Sequence, residues 1–226
     1  MGGQKTIIVT GASRGIGMSI CQLAQQKKHR IIGLSRNIEP LEQEGIQGFS
    51  VDVSDPNGLD SFLEFVAANN LSIDALINNA GQLQNIPFSN SNWAVFEAVY
   101  RVNVFGLAET IRRTLPFMNA SSHVVNISSM GGIQGSSKFP GLAAYSSSKG
   151  AVITLTELLA EEYKDSGPSF NALALGAVQT EMLAEAFPEY NAPTTAAEMG
   201  NYILHFALEG HALFNGKVLS VANSTP

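Results

Sequence analysis

The chain has 226 residues, 45% of them hydrophobic and 14% charged, with a formal net charge of −6 at pH 7. This composition is typical of a globular α/β protein and excludes an intrinsically disordered one. The 13 Lys and Arg residues are scattered along the sequence, so we expect no basic surface for nucleic acid or for an anionic membrane.

Apolar runs alternate with helical patterns along the chain. In chain order, the predicted strands are residues 6–10, 30–35, 48–53, 73–81 with the exit turn included, 121–130, 169–175 and 217–222. The predicted helices run from the first glycine-rich turn to about residue 28, then over 56–70, 92–117 and 143–163, and onward from about 195. Apolar strands joined by crossover helices predict an α/β protein with a doubly wound Rossmann fold, a seven-stranded parallel sheet flanked by helices. Without a repeat or a linker, residues 1–226 are expected to form one domain.

Glycines lie between the first strand and the first helix, in "IIVTGASRGIGMSI". Gly11, Gly15 and Gly17 let the backbone approach a pyrophosphate closely, and the helix N-terminus offers free N–H groups. This turn, directly after the first strand, predicts a dinucleotide-binding site.

The end of the second strand bears on the choice of dinucleotide. NAD sites usually carry a carboxylate there, whereas this chain has Ser35 and Arg36, with Arg14 in the glycine loop. Two guanidiniums and a hydroxyl suit a 2′-phosphate, which predicts NADP(H) as the cofactor. The alternative is that both arginines are solvated surface residues.

The helix over 143–163 begins with residues that are poor helix stabilisers. Tyr145 and Lys149 lie one turn apart on the same face, with three serines between them. We expect the ammonium to stabilise the phenolate and lower the pKa of Tyr145, so that Tyr145 acts as a general acid toward a carbonyl oxygen.

With these motifs, nearly the whole chain resembles the compact single-domain branch of the short-chain dehydrogenase/reductase family. The matches are the TGxxxGxG loop from Thr10, the sequence Asn-Asn-Ala-Gly at 78–81 and the YxxxK pair. The resemblance implies that the catalytic residues are Asn103, Ser129, Tyr145 and Lys149. Together with the positions above, it implies that the cofactor contacts are Gly11, Ser13, Arg14, Gly15, Ile16, Gly17, Ser35, Arg36, Asp52, Val53, Asn79, Ala80, Gly81, Tyr145, Lys149, Gly176, Val178 and Thr180.

The resemblance also implies roles for the remaining catalytic residues. Ser129 would orient the substrate oxygen, Lys149 would bind the nicotinamide ribose, and Asn103 would hold a water that returns the proton through Lys149. The family commonly pairs its long helices across a two-fold axis, so a homodimer or homotetramer is expected. A small-molecule carbonyl or alcohol is the expected substrate.

Three features depart from the family pattern. The segment from Ser129 to Tyr145 is slightly longer than is common, which predicts an enlarged loop. The usual Pro-Gly after the sixth strand reads Leu175-Gly176, and the tail "VANSTP" lacks the common Asp-Gly ending. The first of these leaves open the geometry of the loop but not the chemistry, and the second leaves open the assembly surface at the tail.

The predicted function is an NADPH-dependent oxidoreductase that reduces a carbonyl to an alcohol by hydride transfer, within one dinucleotide-binding catalytic domain. The alternative is a non-catalytic dinucleotide-binding regulator on the same fold, against which the complete set of catalytic residues argues. An epimerase of the extended branch needs a longer carboxy-terminal region. The substrate stays open among 3-oxoacyl thioesters, pteridine-like diketones and small carbonyls. A short substrate lid at about 181–195 predicts a fairly open cleft and compact or protruding substrates.

Two classes of site are not expected. The single cysteine, Cys21, excludes an intrachain disulfide, and no Cys/His cluster has metal-ligand spacing. No apolar run reaches bilayer length, and the first residues lack the pattern of a secretory signal. We therefore expect a cytoplasmic protein without a metal.

Overall fold

The computed structural model describes residues 3–222, which are built around a parallel sheet. The strands are β1 (Thr6–Thr10), β2 (Arg30–Ser35), β3 (Gln47–Ser50), β4 (Ala75–Asn78), β5 (His123–Ser129), β6 (Ser169–Leu175), β7 (Val178–Gln179), β8 (Thr194–Thr195) and β9 (Val218–Val221). Seven of them form one sheet in the order β3-β2-β1-β4-β5-β6-β9, with every neighbouring pair parallel. Strands β7 and β8 form a separate small pair. The predicted seven-stranded parallel sheet is confirmed.

Helices cover both faces of this sheet. They are α1 (Gly15–Gln26), α2 (Glu39–Gln43), α3 (Asp60–Ala68), α4 (Trp93–Tyr100), α5 (Leu107–Thr114), α6 (Ala143–Glu162), α7 (Glu181–Ala186) and α8 (Ala196–Glu209). Because successive side chains of a strand point to opposite faces, β1 contributes to two cores. Ile7 and Val9 pack in the core that contains Ile20 of α1 and Ile203 of α8, whereas Ile8 packs in the core on the other face. The doubly wound arrangement follows from this alternation.

Most boundaries agree with the sequence prediction, and the exceptions have local causes. Strands β1, β2 and β6 have the predicted bounds, because a strand buried on both faces is a continuous apolar run. Strand β3 ends at Ser50, since Asp52 turns the chain by accepting hydrogen bonds from the N–H and hydroxyl of Ser54. Helix α8 begins at the predicted place, where Thr195 and Glu198 form a capping box.

The predicted helix over 92–117 is interrupted in the middle. Helix α4 passes into a π-helical turn, Arg101–Gly106, before α5 begins. π-helical turns within α-helices are often found at functional sites, and this one contains Asn103.

No helix within residues 3–222 combines the length and the apolar character that a membrane crossing requires. The predicted difference at the end of the tail falls on residues 223–226, which lie outside the described part of the chain. The assignment of residues 1–226 to one domain stays a prediction.

Candidate active site

A cleft of about 780 Å³ opens at the carboxyl ends of the strands. The chain order of the sheet reverses between β1 and β4, and open α/β sheets bind ligands in the crevice at such a point. The cleft is lined by the glycine loop, by loops after β2 to β6, by the start of α6 and by α7. Every residue predicted for catalysis or cofactor binding lines it, except Gly17 and Asn103.

The glycine loop has a geometry that only glycine supports at its key positions. Gly11 and Gly15 have φ values of +65° and +54°, in the left-handed region. A Cβ on Gly17 would lie 2.2 Å from the carbonyl oxygen of Gly11. Gly17 therefore allows the close packing of loop and helix and lies behind the surface of the cleft.

The loop after β4 is held against the glycine loop. The backbone N–H groups of Asn79 and Ala80 both donate to the hydroxyl of Thr10, at 3.1 and 3.0 Å. The side-chain amide of Asn79 donates to the carbonyl oxygens of Thr10 and Gly11, both at 3.1 Å. The Asn-Asn-Ala-Gly motif thus fixes the floor of the cleft between β1 and β4.

Tyr145 lies in the first turn of α6, close to Ser129 at the end of β5. Burial raises the pKa of the Tyr145 phenol, and a hydrogen bond with the Ser129 hydroxyl lowers it by less, so that the pKa is raised overall. The expectation of a lowered pKa was therefore wrong. Desolvation of the phenolate outweighs the hydrogen bond with Ser129.

Lys149 is buried, with only 4% of its surface exposed. Its Nζ donates to the carbonyl oxygen of Ile127 at 2.8 Å and lies 5.7 Å from the centroid of the Tyr145 ring. Burial lowers the pKa of Lys149 to about 8. The ammonium is thus held beneath the cleft by a strand carbonyl, one turn along α6 from Tyr145.

Asn103 lies behind the cleft, fully buried, with its side chain occupied by hydrogen bonds. Its Oδ1 accepts from the backbone N–H of Gln82 at 2.7 Å, and its Nδ2 donates to the carbonyl oxygen of Gln82 at 3.0 Å and to Ser148 Oγ at 2.9 Å. These bonds tie the π-helical turn to α6 and to the loop after β4. A Cβ on Gly81 would lie 3.6 Å from both Asn103 Oδ1 and Lys149 Nζ, so the missing side chain leaves space between these two atoms.

The residues predicted to select the cofactor lie together at the other end of the cleft. Ser35 Oγ donates to Ser13 Oγ at 2.8 Å, and Arg36 is exposed. The Arg14 guanidinium forms an ion pair with Glu185 of α7, with Nη1 2.7 Å from Oε1. The sequence reading did not identify this contact.

The lid lies along the cleft and is attached on two sides. Met182, Leu183 and Phe187 line the cleft, and Tyr190 lines it while staying 38% exposed. Besides the ion pair of Glu185, the lid accepts a hydrogen bond at the carbonyl oxygen of Ala186 from Asn85 Nδ2, at 3.1 Å. The sequence predicted a lid here but neither its short helix nor Asn85.

Two of the three departures from the family pattern have clear local structures. The loop before Tyr145 ends at Gly141, which has a φ of +89° and whose carbonyl oxygen accepts from the N–H of Ile86 at 2.9 Å. Gly176 donates its N–H to the carbonyl oxygen of Val221 at 3.0 Å, so the end of β9 supports this loop. Leu175 is buried at the end of β6.

A chain of buried polar groups, which the sequence reading missed, holds the strands beneath the site. Asn78 Nδ2 donates to Asn126 Oδ1, and Asn126 Nδ2 donates to Thr156 Oγ1, both at 2.9 Å. Because these three residues belong to β4, β5 and α6, the bonds fix α6 relative to the sheet. Asparagine within an otherwise apolar strand is the sequence signal that could have predicted these buried polar groups.

Comparisons with known proteins agree with this architecture. A family model described as short chain dehydrogenase matches residues 5–191. The chain is 28% identical to a 3-oxoacyl-[acyl-carrier-protein] reductase, FabG, from Thermotoga maritima, covering 96% of each protein. It is 29% identical to 2-(R)-hydroxypropyl-CoM dehydrogenase from Xanthobacter autotrophicus, covering 95% of this chain and 96% of that one.

Solved structures have the same fold. A structure of ElxO with NADP bound is 25% identical, with a TM-score of 0.83 and 97% coverage of both chains. A 4-hydroxyisoleucine dehydrogenase complexed with NADH is 22% identical, with a TM-score of 0.85 and 98% coverage of both chains. On the family match and the full-length relatives, this chain belongs to the short-chain dehydrogenase family of oxidoreductases.

Proposed function

We propose that this protein is an NADPH-dependent carbonyl reductase, with residues 1–226 acting as one catalytic domain. The observation that carries the proposal is the convergence of Ser129, Tyr145 and Lys149 at one end of a cleft whose other end holds Arg14 and Arg36. The proposed proton-donating residues and the two arginines, which could bind an anion, thus line the same cleft.

The residues around the glycine loop fit a dinucleotide. No side chain among residues 3–222 caps the first N–H groups of α1, which therefore stay available to a pyrophosphate. Asp52 and Val53 line the cleft, where they would hold the adenine, and Val178 and Thr180 also line it, where they would hold the carboxamide. Among solved neighbours, one is bound to NADP and another to NADH, so the choice of NADP(H) rests on Arg14, Ser35 and Arg36.

The catalytic residues would supply position and a proton. When bound, NADPH supplies the hydride that the carbonyl carbon accepts. A phenol is protonated at neutral pH, and Tyr145 would donate that proton to the carbonyl oxygen. Ser129 would hold that oxygen. Lys149 would bind the ribose and pass a replacement proton from a water in the space beside Gly81 and Asn103.

The non-catalytic regulator is the second candidate, and it makes a different prediction. A panel of aldehydes and ketones, assayed by loss of NADPH absorbance, should reveal turnover that a regulator lacks. Tyr145→Phe should lower kcat by about 10²- to 10⁴-fold, because it removes the proton donor and keeps the ring. NADPH should still bind, as measured by fluorescence. A variant that keeps a third of the parent's turnover would contradict the role of Tyr145.

A further inference from the structure

We propose that Glu185 sets the affinity of the site for 2′-phosphorylated nucleotides by competing with the phosphate for the Arg14 guanidinium. The inference rests on the proposed function, because it assumes that the adenosine end of a dinucleotide lies beside the glycine loop. It goes further by assigning a specificity role to a lid residue that itself needs no contact with the ligand.

The Glu185 carboxylate accepts hydrogen bonds from the same N–H groups of Arg14 that a phosphate would use. Arg14 precedes the first residue of α1, and Glu185 lies in α7, 171 positions later. Arg14 Nη1 donates to Glu185 Oε1 at 2.7 Å, and Nη2 donates to Oε2 at 3.5 Å. Carboxylates and phosphates bind a guanidinium through the same two-point geometry. The Nη1 and Nη2 groups of Arg14 can therefore bind either Glu185 or a phosphate, but not both at once.

A second carboxylate strengthens the competition. Glu181, in the first turn of α7, has its Oε2 3.3 Å from the position that a Cβ on Gly15 would occupy. The pKa of the Arg14 guanidinium is raised, chiefly by the hydrogen bond with Glu185, and the charges of Glu185 and Glu181 add to this. The lid thus presents two negative charges where a 2′-phosphate would bring nearly two more.

The exposure of the pair makes the competition reversible. The side chains of Arg14 and Glu185 are 52% and 64% exposed. Ion pairs in water are only slightly favourable, so a phosphate dianion can displace the carboxylate. The lid has another attachment that does not involve Arg14, the bond from Asn85 to Ala186. Removing the charge of Glu185 should consequently change affinity while the fold and the lid persist.

The test uses nucleotides that cannot react. Titration calorimetry would compare adenosine 2′,5′-bisphosphate with 5′-AMP for the parent protein and for Glu185→Gln. We expect the variant to bind the bisphosphate about 3- to 10-fold more tightly and 5′-AMP equally well. Glu189→Gln is the matched control, because Glu189 is an exposed lid carboxylate that forms no ion pair within residues 3–222. It should bind both nucleotides as the parent does.

A second arm tests whether Glu185 acts through Arg14. In an Arg14→Ala background, Glu185→Gln should no longer change bisphosphate affinity. Equal bisphosphate affinity in the parent and in Glu185→Gln would overturn the inference, as would a gain that persists without Arg14 or extends to 5′-AMP. If the parent prefers NADH and Glu185→Gln still binds the bisphosphate more tightly, the assignment of NADPH is wrong, but the competition between Glu185 and the phosphate for Arg14 is supported.

Discussion

Lys149 is a buried cation that forms no ion pair with a carboxylate of residues 3–222, and its position costs the fold some stability. Its pKa falls from 10.5 to about 8 because burial disfavours the ammonium. Since the folded-state pKa is lowered, the cost is fully present below pH 8 and disappears as the pH rises to about 10.5. By linkage, it is about 3 kcal/mol at neutral pH. A catalytic role for Lys149 would account for a buried cation that destabilises the fold.

Lys149→Met should therefore stabilise the protein at pH 7 while abolishing turnover. The gain should be about 2 kcal/mol, because the loss of the bond to Ile127 offsets part of it. Urea unfolding at pH 7 and at pH 10 would measure it, and the gain should shrink at the higher pH. Lys27→Met is a control, because Lys27 is an exposed lysine whose side chain forms no ion pair within residues 3–222. A lower stability of Lys149→Met at pH 7 would mean that packing around Nζ outweighs the burial of its charge.

Among single elements, we expect the lid to determine which substrates can reach Tyr145. The lid's contribution to the cleft is largely apolar, from Met182, Leu183, Phe187 and Tyr190, and α7 is only six residues long. A short lid attached on two sides leaves room for a compact substrate or for the protruding end of a larger one.

We expect compact carbonyls to be reduced with a higher kcat/KM than bulky fused-ring carbonyls of similar reactivity. Phe187→Ala should narrow this difference, because it removes a large side chain from the wall of the cleft. Initial rates with a graded series of ketones would measure the effect. Phe88→Ala is a suitable control, since Phe88 is 70% exposed and does not line the cleft. Equal efficiency across the series would contradict the proposed role of the lid.

The elements also show what a single sequence can predict. Strands β1, β2 and β6 were predicted with their bounds. Most of the predicted site residues line one cleft, because they follow strand ends in a known order. The π-helical turn was missed, because its residues are compatible with an ordinary helix. The Arg14–Glu185 pair and the raised pKa of Tyr145 depend on contacts between distant segments and on burial. Local patterns do not contain this information.

At the scale of the whole molecule, exposed apolar side chains lie on neighbouring helices of one face. Trp93 at the start of α4, Phe105 in the π-helical turn and Leu158 in α6 are 83%, 60% and 60% exposed. Helices α4 and α6 pack against each other, so these side chains share one side of the sheet. Exposed apolar residues on adjoining elements are typical of an association surface, which supports the prediction of a homodimer or homotetramer.

Phe105→Asp should shift the protein toward monomers, because a two-fold interface would bury the new carboxylate twice. Each large apolar side chain buried there contributes about 1.5–3 kcal/mol, so the loss on both protomers should raise the dissociation constant by at least about 100-fold. Sedimentation velocity over a range of concentrations would measure it. Leu213→Asp removes an 84% exposed leucine that follows α8, and it should leave a dimer through α4 and α6 intact. If Leu213→Asp dissociates the protein and Phe105→Asp does not, the protomers associate through the region after α8. A parent that is monomeric at micromolar concentration would show that neither surface mediates association.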